Sequence, residues 1–134
     1  MIKGIDHIGI AVSDHKESIT KWEKLTGEKA GNSERVDEQG VLLSKLKLKQ
    51  GSVIELLAPT GDETPVGRFL KKRGPGIHHI CFQVSELDVL VESLKENGIR
   101  FVQEVPMKGS EGSRVIFIHP GDFNGVLIEL RETG

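Results

Sequence analysis

The segment Gly76-Ile77-His78-His79-Ile80-Cys81-Phe82-Gln83-Val84 decides the fold, because it repeats Gly4-Ile5-Asp6-His7-Ile8-Gly9-Ile10-Ala11-Val12 from the start of the chain. Both segments are apolar runs with the length of a β-strand, and each carries a histidine near its beginning. His79 aligns with His7. The repeat therefore predicts two duplicated modules with two equivalent imidazoles.

Composition and charge exclude several classes of protein. Of the 134 residues, 37% are hydrophobic and 28% are charged, which is typical of a folded globular chain. The formal net charge of −2 gives no strong attraction to nucleic acid or to a membrane, and we expect neither partner. The single cysteine, Cys81, cannot form an internal disulfide. No signal segment or membrane-spanning run is recognisable, so the expected location is the cytoplasm.

The first half of the chain has the pattern of a strand, a helix and a hairpin. A strand is predicted from about Ile5 to Val12. Asp14 is then expected to cap a helix, with Glu17 as its capping-box partner. A polar, loop-like stretch at residues 28–40 precedes hairpin strands at Val41 to Lys49 and Val53 to Leu57.

The second half retraces the first after a connecting segment. Thr64 as the N-cap and Pro65 as the first helical residue predict the start of a short helix that ends at Arg73. The elements predicted after it are a strand from Ile77 to Val84, a helix capped by Ser85, a strand from Ile99 to Val102, a flexible stretch at 108–113, and strands from Arg114 to Ile118 and from Gly125 to Leu130. We therefore expect a single domain made of module one at 1–58, a connecting loop and helix at 59–75, and module two at 76–134.

A second repeated feature supports the duplication. Val53-Ile54-Glu55-Leu56 matches Leu127-Ile128-Glu129-Leu130, so that 74 residues separate the two glutamates and 72 separate the two histidines. Each module is interpreted as β-α-β-β-β, with a histidine in its first strand and a glutamate in its last.

Two histidines and two glutamates at matched positions favour a metal site. A glutamate within an apolar strand is costly to bury unless it is paired, protonated or bound to a metal. Two imidazoles and two carboxylates suit Co, Ni, Zn, Mn or Fe(II). The competing interpretation is that each histidine is structural and each glutamate points to solvent, and only the matched spacing argues against it.

Two groups of basic residues have ordinary explanations. Lys45, Lys47 and Lys49 alternate with leucines and are expected to form the solvated face of a strand. The run Lys71-Lys72-Arg73 ends the connecting helix, where the helix dipole favours cations. The same run is also a candidate site for a phosphate-bearing substrate.

These residues carry a resemblance to a known family. The segments Asp6-His7-Ile8-Gly9-Ile10-Ala11-Val12 and His78-His79-Ile80 resemble the vicinal oxygen chelate superfamily and, within it, the methylmalonyl-CoA epimerases. Supporting segments are Gln39-Gly40-Val41, Glu55-Leu56-Leu57-Ala58-Pro59, Thr64-Pro65-Val66-Gly67-Arg68-Phe69-Leu70, Phe117-Ile118-His119-Pro120 and Gly125-Val126-Leu127-Ile128-Glu129-Leu130.

The resemblance implies an α+β fold in which two tandem βαβββ modules form a cupped, barrel-like mixed sheet around one metal site. It implies one divalent ion (Co, Ni, Mn or Zn) held by His7, Glu55, His79 and Glu129. It also implies a homodimer that interconverts the epimers of an acyl-CoA substrate, methylmalonyl-CoA, in propionate metabolism. The α-proton would leave through a metal-stabilised enolate.

Two positions depart from the epimerase pattern. Some epimerases have glutamine at the position of Glu55, and the two-His, two-Glu set is also that of bacterial-type glyoxalase I, which remains an alternative. Some epimerases carry a catalytic glutamate where this chain has Leu43. Glu129 is then the candidate base, and water or Lys45 is the candidate donor on the opposite face. A metal-free module that binds a small molecule is the alternative outside enzymes.

Overall fold

A computed structural model describes all 134 residues. They form two compact units, which we call the His7 unit (residues 7–78) and the His79 unit (residues 1–6 and 79–134). None of the three helices is long and apolar enough to cross a bilayer. The elements in chain order are β1 (Ile2–Ala11), α1 (His15–Thr26), β2 (Glu34–Val36), β3 (Val41–Lys47), β4 (Val53–Pro59), α2 (Pro65–Arg73), β5 (Gly76–Val84), α3 (Leu87–Glu96), β6 (Met107–Lys108), β7 (Arg114–Ile118) and β8 (Ile128–Glu132).

The predicted class, α+β with two β-α-β-β-β modules, is confirmed. One copy runs from β1 to β4 and the other from β5 to β8, with α2 between them. In the first copy the strands lie in the order β2-β3-β4-β1, and in the second in the order β5-β8-β7-β6. In each copy the first strand pairs in parallel with the last, and the last pairs antiparallel with the one before it.

The sheet of the His7 unit buries both of its faces. Leu46 and Leu56 pack on one side with Ile19 and Trp22 of α1. Because side chains alternate along a strand, the residues beside these leucines point to the opposite face. That face packs with α2, in a cluster of Ala11, Val36, Val41, Leu43, Leu57 and Val66 flanked by Phe69 and Leu70.

In the His79 unit, α3 covers one face of the sheet. Leu87 and Val91 of α3 pack with Ile116, Ile118 and Leu130. The residues that alternate with these on β7 and β8 lie on the opposite face, and they include Glu129 and Arg131 of β8.

Two predicted helix caps are confirmed. Asp14 Oδ1 accepts the backbone N–H of Glu17 at 3.0 Å, and Thr64 Oγ1 accepts that of Gly67 at 3.1 Å. The Glu17 carboxylate does not complete a capping box, because it lies 3.1 Å from the Lys21 ammonium one turn later.

The predicted cap of α3 by Ser85 is wrong. Glu86 precedes the helix with a left-handed φ of 54° and makes no side-chain cap. Glu132 of β8 supplies the acceptor instead, since its Oε2 lies 3.2 Å from the backbone nitrogen of Leu87. This cap is a tertiary contact, so the local sequence around Ser85 does not reveal it.

The predicted strand from Ile99 to Val102 is reduced to a single bridge between Phe101 and Ile118. Phe117 donates its backbone N–H to Gln103 Oε1 at 2.9 Å. This N–H is therefore not available to pair with the backbone of residues 99–102. Other boundaries also differ: β3 ends at Lys47, β6 overlaps the stretch predicted to be flexible only at Lys108, and β2 lies in the stretch predicted to be a loop.

Candidate active site

The His7 unit contains a buried imidazole–carboxylate pair. His7 Nε2 lies 3.2 Å from Glu55 Oε1, and the two residues are only 3% and 4% exposed. Glu55 is opposite Gly9 in the parallel pairing of β1 with β4. His7 and Gly9 share a strand face, so the His7 ring reaches Glu55 diagonally across a position that has no side chain.

The His79 unit contains the same pair at the equivalent strand positions. His79 Nε2 lies 3.0 Å from Glu129 Oε1, and each residue is 4% exposed. Cys81 is opposite Glu129, in the place that Gly9 holds in the other unit. The Phe117 ring meets the His79 ring edge to face at 5.7 Å.

These pairs fit a divalent metal ion by their chemistry. Histidine and carboxylate groups that could hold a metal are present, among them His7, His79 and Glu129. Burying a carboxylate is costly unless a proton, a cation or a metal compensates its charge. Imidazole and carboxylate ligands together suit Co, Ni, Mn and Zn.

Lys45 is not solvent-exposed, although it was predicted to share an exposed strand face with Lys47 and Lys49. Lys47 and Lys49 are exposed, as expected. Lys45 is opposite Glu55 in the antiparallel pairing of β3 with β4, and its side chain is only 16% exposed. Its ammonium lies 3.8 Å from Glu55 Oε2. The structure therefore places a cation directly beside one candidate metal ligand.

Leu43 occupies an apolar environment two residues before Lys45. It is 3% exposed and packs with Val41, Leu57 and Val66. The position where some epimerases carry a glutamate is thus part of the core against α2 in this chain.

Arg131 is a charged residue near Glu129 that was not predicted from the sequence, because the predicted closing strand ended at Leu130. β8 continues to Glu132, which puts Arg131 two residues beyond Glu129 and on the same strand face. Arg131 is 7% exposed and contacts both Asp6 and Glu111.

The remaining histidines make local contacts. The His78 ring packs edge to face on Phe69 at 5.1 Å. His119 Nδ1 accepts the backbone N–H of Gly121 at 3.0 Å. His15 Nε2 lies 2.9 Å from Ser44 Oγ, and burial lowers the pKa of His15.

The basic run at the end of α2 is exposed. The Lys71 ammonium lies 3.7 Å from Asp62 Oδ2 and 4.0 Å from Glu63 Oε1. The Arg73 guanidinium lies 5.7 Å from the centre of the Phe69 ring.

Comparison with protein families and curated proteins gives a consistent result. A family model of the glyoxalase/bleomycin resistance protein/dioxygenase superfamily matches residues 6–117. The mitochondrial methylmalonyl-CoA epimerase of Bos taurus is 36% identical over 129 residues, which cover 96% of this chain and 73% of the relative. The ethylmalonyl-CoA/methylmalonyl-CoA epimerase of Cereibacter sphaeroides is 36% identical over 134 residues, covering 98% of this chain and 99% of the relative.

Solved structures agree with these sequence relationships. The methylmalonyl-CoA epimerase of Mycobacterium tuberculosis superposes with a TM-score of 0.94 at 38% identity, covering 99% of this chain and 89% of that one. A methylmalonyl-CoA epimerase in complex with methylmalonyl-CoA and NH4+ superposes with a TM-score of 0.93 at 36% identity, covering 100% of this chain and 96% of that one.

Proposed function

Because the chain belongs to the glyoxalase/bleomycin resistance protein/dioxygenase superfamily, as its sequence resemblance predicted, we infer that it is an enzyme that epimerises methylmalonyl-CoA. Identity of 36% to named methylmalonyl-CoA epimerases over almost the whole chain is the observation that carries this conclusion. The buried pairs His7–Glu55 and His79–Glu129 support this function, because they offer imidazoles and carboxylates for metal binding and proton transfer.

We propose that His7, Glu55, His79 and Glu129 together hold one divalent ion, Co, Ni, Mn or Zn, in a single domain built from both modules. The support is the equivalence of the two pairs in strand position, burial and His–Glu distance. When bound, the ion supplies a Lewis acid for neighbouring oxygens of the thioester and the carboxylate.

Glu129 is the proposed base that removes the α-proton. A carboxylate can accept a proton, and Glu129 lies beside His79 in the buried pair. The opposite face of the α-carbon needs a second donor, since epimerisation returns the proton from the other side. Lys45 or a water molecule is proposed for that role, and the placement of Lys45 beside Glu55 supports the lysine.

Lys71, Lys72 and Arg73 are proposed to bind the phosphates of coenzyme A. They are exposed at the C-terminal end of α2. Lys71 already contacts Asp62 and Glu63, so Lys72 and Arg73 are expected to contribute more of the attraction. A homodimer is proposed as well, on the resemblance to this family. A cytoplasmic location is proposed on the relationship to the bacterial epimerase of Cereibacter sphaeroides.

The function is tested by NMR of methylmalonyl-CoA with the protein in deuterated water, beside a glyoxalase assay on the glutathione hemithioacetal of methylglyoxal. We expect exchange of the α-proton for deuterium and no glyoxalase turnover. Glyoxalase turnover without α-proton exchange would make the chain a glyoxalase. Binding of the thioester without exchange, with or without an added divalent ion, would make it a binding module.

A further inference from the structure

Arg131 is a buried cation on the same face of the sheet as Glu129. Leu130, between them, packs with α3, so the side chains of Glu129 and Arg131 both point to the other face. Two residues along a strand span roughly 6.6 Å. The two backbone positions are therefore close enough for one acyl thioester to lie against both side chains.

The guanidinium is only partly engaged. Its Nη1 lies 3.1 Å from both carboxylate oxygens of Asp6, which fixes one edge of the group. The Nε–H is buried and has no hydrogen-bond partner. Buried polar groups without a partner are uncommon in proteins, and each calls for an explanation.

The carboxylate of Glu111 lies near another nitrogen of the same guanidinium, in a weak contact that a substrate carboxylate could replace. Its Oε1 lies 3.7 Å from Arg131 Nη2, which is beyond hydrogen-bond distance, and its side chain is 58% exposed. Glu111 itself has a left-handed φ of 54° in a short turn that ends at Gly112. A long, exposed carboxylate–arginine contact of this kind contributes little stability.

We propose that Arg131 binds the free carboxylate of the acyl group, and that the substrate carboxylate replaces Glu111 at the guanidinium. This inference rests on the proposed function and adds a source of specificity to it. The guanidinium donates to the carboxylate oxygen that the ion would leave free, so it selects a 2-carboxyacyl thioester over a simple acyl thioester. The position equivalent to Arg131 in the His7 unit is the core residue Leu57, so that strand provides no matching cation.

The test measures equilibrium binding of methylmalonyl-CoA and of propionyl-CoA, which lacks the carboxylate, to chelator-treated protein. The readout is the ratio of the two dissociation constants, which does not depend on turnover or on metal. We expect the wild-type protein to prefer methylmalonyl-CoA by about tenfold or more, as a charge-assisted hydrogen bond would give. Arg131→Gln should bring the ratio close to one.

Two further variants keep the test decisive. Glu111→Gln leaves the buried pair intact and should tighten methylmalonyl-CoA binding without changing propionyl-CoA binding. The double variant Asp6→Asn, Arg131→Gln avoids an unpaired Asp6 carboxylate if the single Arg131 variant does not fold. Arg114→Gln is the control, because Arg114 is also paired with two carboxylates, Asp88 and Glu132, but is 46% exposed.

Equal weakening of both thioesters by Arg131→Gln would assign the guanidinium to a phosphate of coenzyme A and overturn the proposal. An unchanged ratio in the Arg131 and Glu111 variants would leave Arg131 a purely structural role. The function and this inference fail separately. Absence of α-proton exchange in the wild-type protein refutes the epimerase, whereas exchange with an unaltered ratio refutes the role of Arg131.

Discussion

The two units hold the same His–Glu pair but surround it differently. Opposite Glu55, across β3 and β4, the His7 unit has Lys45, whose ammonium lies 3.8 Å from the carboxylate. Opposite Glu129, across β7 and β8, the His79 unit has Phe117, whose ring packs against His79. The next pair along the same face is Leu43 with Leu57 in one unit and Val115 with Arg131 in the other.

Some positions carry the same residue type in the two copies, and others differ. The histidine and glutamate positions are equivalent in the two copies, and these are the groups a shared metal would require. The neighbouring positions differ in charge and size. In each turnover of an epimerase, a proton leaves one face of the α-carbon and a proton is added to the other face. Equivalent histidines and glutamates with different neighbours in the two units suit this reaction, because the two faces need different groups.

The largest expected effect comes from breaking the equivalence of the two glutamates. Glu129→Gln should lower α-proton exchange by about 10²- to 10⁴-fold, because an amide cannot accept the proton. Glu55→Gln removes the same charge from the other unit and should be the milder change. Deuterium wash-in at the α-carbon, with divalent metal in excess, measures both. Near-wild-type exchange in Glu129→Gln would refute its assignment as the base.

A smaller effect is expected from making position 45 apolar, as Phe117 is in the other unit. Lys45→Met should slow stereochemical inversion at least about tenfold while exchange from the reactive epimer is less affected. Lys47→Met, an exposed position on the same strand, is the control. Unchanged rates of both processes in Lys45→Met would leave water as the second donor.

Helix α2 has no counterpart in the second copy, and its basic end is the next point to test. Neutralising Lys71, Lys72 and Arg73 should raise the KM in a salt-dependent way and spare kcat, since exposed charges act by screened attraction. Neutralising three exposed lysines of α1 (Lys16, Lys21 and Lys24) is the matched control. A KM that does not change at low salt would show that the basic residues at the end of α2 do not bind the substrate.

The smallest effect concerns the first residue of the helix in each copy, which is His15 in α1 and the buried Leu87 in α3. Burial lowers the pKa of His15, so the unfolded chain takes up a proton more readily than the folded one. Stability is therefore complete above the unfolded pKa near 6.5 and falls as the pH drops towards the folded value. His15→Leu should reduce the fall in Tm between pH 7.5 and pH 5.5 by about 1–2 °C. An unchanged fall in Tm would show that His15 does not contribute to it.

The repeat made the two modules and their His–Glu pairs predictable, because the same strand positions recur in the sequence. The position of Lys45 was not predictable from its neighbours. Alternation of lysine and leucine from Lys45 to Lys49 indicates an exposed face, but Leu43 on that same face is buried. One face of β3 is buried at Leu43 and exposed at Lys47. The alternation of residues along the strand does not show where burial ends.

Tertiary contacts account for the other differences. Arg131 and Asp6 are 125 residues apart in the chain, and their ion pair has no sequence signature. The cap that Glu132 provides to Leu87 is equally remote in sequence. Such pairings depend on which strands become neighbours, and a pattern within one strand carries no information about that.

The most direct test of the central claim, that both pairs serve one metal site, is the divalent-ion content of His7→Ala and His79→Ala. Each variant removes a ligand from a different unit, and His119→Ala, at an exposed histidine, is the control. Circular dichroism verifies that all three remain folded, and elemental analysis follows dialysis. We predict one ion per chain in the wild-type protein and in the control, and loss of that ion from both His7→Ala and His79→Ala. Two ions in the wild-type chain, or full metal content in either variant, would contradict a shared site.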